Sequence, residues 1–242
     1  MSFERELRQF MKPLLKADPD LRYLSKTLII GPVRHFLSAF WFQGYQIDDH
    51  INLYPRLALF PTADPDNVHY VVSLFTQYNY FEKWNLPFVW RTDDTGYPEI
   101  YQALLRERMI PPLREIRTLE AFRREFDAYH LQEIFLWGRG DVMMSVMFGE
   151  FDKAAARAKI DDRYRDIFNV CKEGVGDRLA GQGDALSTAD KRALIALLHQ
   201  RERNAAVAMK LDKRHWEPSL FPVEERHPEL RVLAPDGTIA EE

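Results

Sequence analysis

Asp48, Asp49 and His50 stand side by side in the stretch QGYQIDDHI, residues 43–51, with His35 on the strand-like segment before it and His69 on one after it. Carboxylates and imidazoles are the ligands that zinc, manganese or iron take, and a catalytic site needs three of them plus an open position. His35, Asp48, Asp49 and His50 are therefore the candidate ligands of a metal-dependent hydrolase. The same stretch has the make-up of a hairpin loop, because Gly44 tolerates unusual backbone angles and Asp side chains satisfy free N–H groups locally. The local composition favours the turn, and neither a metal nor any other cofactor is assigned.

The remaining chemistry-bearing residues identify no mechanism. Cys171, the one cysteine of the chain, cannot form an internal disulfide or a multi-cysteine metal site, and no Cys-His-Asn spacing marks it as a nucleophile. It reads as a buried thiol on a helix face. The glycines of WGRGD (137–141) and EGVGDRLAGQG (173–183) lack the Lys and Ser/Thr of a phosphate loop and follow no clear strand, so they read as helix ends and loops. There is no Gly-x-Ser-x-Gly elbow. With no recognisable catalytic motif, the sequence leans away from an enzyme. The basic segments LREIRTLEAFRREF and HQRERNAAVAMKLDKRHW alternate cations with anions, which is the pattern of a solvated helix face.

Large apolar groups fall on both faces of the segment 33–42. Phe36, Phe40 and Phe42 share one side of a strand and Trp41 takes the other. A helix covering each face is the plainer expectation; the alternative is that part of one face receives a ligand or partner. Trp41 and Trp84 are the candidate residues of that surface.

These residues need elements to position them. Ser2 is a candidate cap for a first helix, in which Phe3, Leu7, Phe10, Met11, Leu14 and Leu15 recur at helical spacing, with Pro13 expected to kink the helix or start a new one. Residues 21–30, 33–42, 51–60 and 67–75 read as four strands of a meander, with 86–91 as a short fifth. Pro55 predicts an edge position or a bulge in the third. From Pro98 the period is helical. One helix is expected to stop at Pro111-Pro112, Thr118 to cap the next, and GRGD to separate a helix from VMMSVMF. Ser187 to Asp190 predict the start of the last long helix, which carries Leu194, Leu197, Leu198, Ala205, Ala208 and Met209 on one face and ends near Leu211. Beyond it, four prolines predict an extended tail, held if Trp216, Leu220 and Phe221 dock.

The fold class is therefore α+β: an N-terminal helix plus an antiparallel meander sheet of four or five strands in residues 1–95, an all-helical half in 96–212 and a Pro-rich tail in 213–242, expected to form one compact unit. The 46% hydrophobic and 13% aromatic content argues against disorder, and the net charge of −4 gives no basic field for nucleic acid. The first residues lack the apolar core of a signal peptide, and runs such as VMMSVMF fall short of the roughly 20 residues that span a bilayer. A cytoplasmic protein away from the membrane is expected.

Pro32, His35, Phe36, Leu37 and Phe40 in the pattern P-x-x-HFL-x-x-F, followed by Pro55, Leu57 and Phe60 in P-x-LALFP, resemble the N-terminal segment of uncharacterised bacterial cytoplasmic domains, some of them immunity-like or interaction proteins. The resemblance spans about the first 80 residues and implies a protein partner without naming catalytic residues. The expectation is a non-enzymatic bacterial protein-interaction protein, with the metal-dependent hydrolase as the alternative and a homo-oligomer compatible with either.

Overall fold

The first apolar stripe folds as α1, Phe3–Ala17, whose Leu7, Phe10, Met11 and Leu14 are buried. It runs through Pro13 to Ala17 without a fresh start. The carbonyl deprived of its usual donor is that of Gln9, an exposed residue, so water can take the place of the missing N–H. A computed structural model of the chain describes residues 3–62, 86–87, 89–128, 138–160, 174–234 and 237–239; Ser2, Trp84, His69, Cys171 and the expected strand at 67–75 lie outside them.

The sheet has five antiparallel strands in the order β1-β2-β3-β4-β5: Leu21–Leu24, Thr27–Ile30, Phe36–Ile47, His50–Pro61 and Trp90–Arg91. Residues 21–30, expected as one strand, are folded in half as a hairpin, with Ser25 and Lys26 at φ 45° and 70° forming the two-residue turn. Neither residue announces a left-handed turn, so composition alone could not place it. β3 and β4 pair over twelve rungs, from Phe36 opposite Pro61 to Ile47 opposite His50. Pro55 lies in this ladder opposite Phe42 without a bulge. Residues 51, 53 and 55 turn their N–H groups away from β3, as the bond from the Ile51 N–H to Thr92 Oγ1 shows, so the missing donor of Pro55 costs the β3–β4 ladder nothing.

The helical part opens with α2, Glu99–Leu104, continues through a wide turn at Leu105–Met109 whose bonds span five residues, and passes into α3, Ile110–Glu115. Pro111 and Pro112 thus begin the last stretch of this helical run instead of ending it. The widened turn is what admits two residues that have no N–H for the preceding carbonyls. Thr118 caps α4, Leu119–Ala128, by accepting a hydrogen bond from the Ala121 N–H. α5, Gly138–Met147, carries GRGD in its own first turn, and its Val142, Met143, Met144, Val146 and Met147 are all buried. α6 (Phe151–Ile160), α7 (Val175–Gln182) and α8 (Thr188–Ala208) surround it, with Ser187 capping α8 as its sequence predicts.

Three cores result. One sheet face, with Leu28, Ile30, Phe40, Phe42, Leu53 and Leu57, packs against α1 and draws in Tyr101, Leu105, Met109, Ile110 and Leu113 from the helical run. The second core is helical, centred on α5, and Phe36 at the start of β3 reaches into it to stack on Phe122 at 4.8 Å. The third lies on the other sheet face, where Ala205 and Met209 cover Ile29, Val33, Leu37 and Ala39. The tail runs along the body. Val33 and Trp216 form a parallel bridge, Phe221 is fully buried, and α9, Pro222–Arg226, leads to the buried Leu230, Val232 and Leu233.

Candidate functional site

The twelve-rung ladder decides where the candidate ligands go. His35 precedes its first rung and His50 closes its last, so about 35 Å of extended chain separates them. Asp48 and Asp49 form the two-residue hairpin turn, Asp48 at φ 51°, and Gln46 Nε2 donates to the carbonyls of Asp48 and His50, at 3.0 Å each. The turn is therefore observed, and it does not bring the four residues together. The Asp49 side chain is 95% exposed, and His50 Nδ1 lies 3.5 Å from it and 3.8 Å from Asp93. The Arg91 guanidinium, bonded to Asp93, holds that carboxyl below its usual range. Among the described residues no three His, Cys, Asp or Glu side chains are grouped to hold a metal ion.

His35 belongs instead to a buried chain of ionisable groups that joins three distant segments. Its Nδ1 is 3.0 Å from Glu202 Oε1, and its Nε2 is 3.0 Å from the Leu220 carbonyl and 3.1 Å from Ser219 Oγ. Glu202 Oε1 also lies 3.2 Å from Thr62 Oγ1, and Oε2 is 3.7 Å from His199 Nδ1. His199 Nε2 then reaches Glu224 Oε2 at 2.7 Å. Glu224 has no spare capacity. Its Oε2 accepts the Phe221 N–H, and its Oε1 accepts the N–H groups of Val232 and Leu233. Phe221 is held between the two imidazoles, 4.6 Å from His35 and 4.0 Å from His199.

The electrostatics follow from this alternation. Burial pulls the His199 pKa down, but the two carboxylates beside it, Glu202 at 3.7 Å and the hydrogen-bonded Glu224 at 2.7 Å, outweigh it and push the value up to about 9. Burial works against ionisation of both glutamates as well. For Glu202 the His35 charge and the bonds to His199 and His35 prevail, and for Glu224 the bond to His199 and the N–H groups around it do, so both pKa values are lowered. Enclosed and mutually paired, the chain of groups acts as a latch for the C-terminal segment.

Sequence reasoning missed Glu202 and His199. The available signal was a charged residue within an apolar stripe: Glu202 continues the line of Leu194, Leu198, Ala205 and Met209 along α8. A buried carboxylate there must be paired, but nothing local names its partners.

The second candidate surface is the far half of the β3–β4 hairpin. β2 pairs with β3 only over residues 38–41, and the last contact on that side is the Phe42 N–H bond to the Lys26 carbonyl. By alternation, Gly44 and Gln46 also direct their N–H and C=O groups away from β4, where no further strand pairs among the described residues. Trp41, Tyr45 and Ile47 share one face there and are 37%, 49% and 41% exposed. Tyr45 packs edge-on against Tyr54 across the ladder. On the opposite face the Phe3 ring of α1 lies against Gly44 so closely that a Cβ would overlap it. The hairpin is thus supported by α1 on one face and partly exposed on the other.

No family model, no curated protein and no solved structure matches this chain. Among the described residues no helix is long and apolar enough to cross a membrane.

Proposed function

We propose that the chain is a non-enzymatic bacterial cytoplasmic protein, immunity-like in role, which holds a protein partner by adding an extended segment of that partner to the free edge of β3. The observation that carries this reading is the hairpin half beyond Trp41, where main-chain groups of Gly44 and Gln46 that pair with no strand among the described residues run beside the exposed side chains of Trp41, Tyr45 and Ile47. Main-chain hydrogen bonds would supply affinity and the aromatic face would select side chains. Asp48 and Asp49 at the tip favour a basic residue at the end of the incoming segment. The acidic tip and the net charge of −4 disfavour nucleic acid.

Affinity capture from the native cytoplasm with quantitative mass spectrometry tests the proposal. Gln46→Pro removes one outward N–H and blocks strand addition. It keeps the main-chain ladder to β4 and gives up the two side-chain bonds across the turn, so its melting point is read beside its binding, and Tyr45→Ser with Ile47→Ser strips the exposed face with those bonds intact. A stoichiometric partner recovered by wild type and lost by both variants, each retaining its circular dichroism and melting point, is the expected result. Recovery unchanged in both variants, or a wild-type protein that captures nothing, refutes it. Sizing of the purified protein identifies the case in which the added strand comes from a second copy.

A further inference from the structure

The three cores do not meet perfectly along β3. Phe36 belongs to the helical core and Phe40 to the sheet-side core, and Ser38 lies between them on the same side of the strand. At this seam is a cavity of about 260 Å³, lined by the apolar Ile30, Phe36, Leu113 and Ile116 and by the charged Asp20, Arg34, Arg114 and Arg117. That volume is near the lower end for small-molecule sites, which sit preferentially where structural units join.

Several polar groups of the cavity keep bonding capacity that no described residue takes up. Ser38 is 5% exposed, yet its Oγ has no hydrogen-bond partner. A buried hydroxyl in that state costs about 1–3 kcal/mol unless something fills its need. Arg117 donates its Nε to the Arg114 carbonyl, and its two terminal nitrogens have no carboxylate among the described residues. Arg34 and Arg114 are anchored by Glu217 and Asp18, at 2.9 Å and 2.8 Å, through bonds that leave Nη1 of each unengaged. Among the described residues the Asp20 side chain has no hydrogen-bond donor, while its main chain is fixed by the Gly31 N–H and by Asp18.

We propose that this seam is a binding site for a small organic oxyanion, a carboxylate or phosphate on a compact apolar body. Arg117 and Arg34 hold the charged group, and the Ser38 hydroxyl donates to it. Two arginines already paired with carboxylates preorganise the site without cancelling it, since guanidinium forks match both oxyanions. Ile30, Phe36, Leu113 and Ile116 cover the apolar part. Asp20 receives a hydroxyl or amine hydrogen and disfavours highly charged anions such as nucleoside triphosphates. The site is separate from the hairpin edge, and its test does not depend on that proposal.

Isothermal titration calorimetry at fixed ionic strength, with inorganic phosphate, acetate and benzoate as probes, decides the matter. The expected result is saturable binding of phosphate or benzoate, with benzoate tighter than acetate if the carboxylate source is correct. Arg117→Ala, which breaks no ion pair, should weaken binding roughly 10- to 100-fold, as loss of a charge-assisted bond does. Ser38→Ala should weaken it roughly 2- to 10-fold while leaving the melting point of the free protein unchanged or raised, because the hydroxyl has no partner to lose. Arg106→Ala, whose guanidinium bonds the adjacent Glu107 and does not line the cavity, is the control and should bind like wild type. Absence of saturation with every probe overturns the proposal, as does saturation equal in Arg117→Ala and wild type, which would mean an adventitious ion only.

Discussion

Replacing His199 with Gln should abolish one particular part of the protein's pH dependence. In the folded chain His199 titrates near 9 instead of its usual 6.5, a displacement worth about 3 kcal/mol at about 1.4 kcal/mol for each factor of ten in proton affinity. The pKa is raised on folding, so the stabilisation is complete below about 6.5 and is lost as pH rises through about 9. The two glutamates act in the opposite sense. Their lowered values stabilise the fold above the ordinary carboxylate range, and that contribution disappears as pH falls through their folded values. Wild-type stability, from urea unfolding followed by tryptophan fluorescence, should therefore fall by about 3 kcal/mol between pH 6.5 and 9.5 relative to a variant without the imidazole. His199→Gln should start about 3–5 kcal/mol lower, because Glu202 and Glu224 lose their shared counter-charge, and its curve should lack that decline. Parallel curves for the two proteins across this range would refute the coupling of His199 to the glutamates.

Truncation after Leu211 removes Phe221, Val223, Leu230, Val232 and Leu233, whose burial is worth on the order of 10 kcal/mol together, and the truncated chain should show no cooperative melt by calorimetry. Gly149→Ala places a Cβ 2.8 Å from Val223 at a φ of +73°, and should lower stability by about 1–3 kcal/mol in the same urea assay. Protein purified without chelators or an affinity-tag histidine run should carry no stoichiometric metal, and Asp49→Ala should melt like wild type; bound metal that Asp49→Ala releases would restore the hydrolase alternative.

What could be read from the sequence was local. The stripe of Leu7, Phe10, Met11 and Leu14, the caps at Thr118 and Ser187 and the turn at Asp48-Asp49 each depend on residues within a few positions of one another, so pattern and turn chemistry sufficed. The hairpin turn at Ser25-Lys26 failed to show because its residues are poor formers of left-handed backbone, imposed here by the pairing on either side. Pro111-Pro112 looked like a stop because the wide turn before them depends on packing in the sheet-side core. Of the candidate site residues, Trp41 does reach the surface as the alternation of its strand requires, while His35 is turned inward. Its partners Glu202 and Leu220 lie 167 and 185 positions away, a separation no local pattern encodes.

That separation also governs the order in which the protein can be completed as it is made. His35 and Val33 leave the ribosome before the groups that engage them, Glu202, His215 and Leu220, have been translated. At roughly 5–20 residues per second, the 185-residue interval between His35 and Leu220 lasts about 10–40 s. Throughout it, the start of β3 carries an imidazole with no Glu202 beside it and a face that Phe221 has yet to cover. The nascent sheet thus keeps an unfinished face until nearly the last residues of the latch emerge.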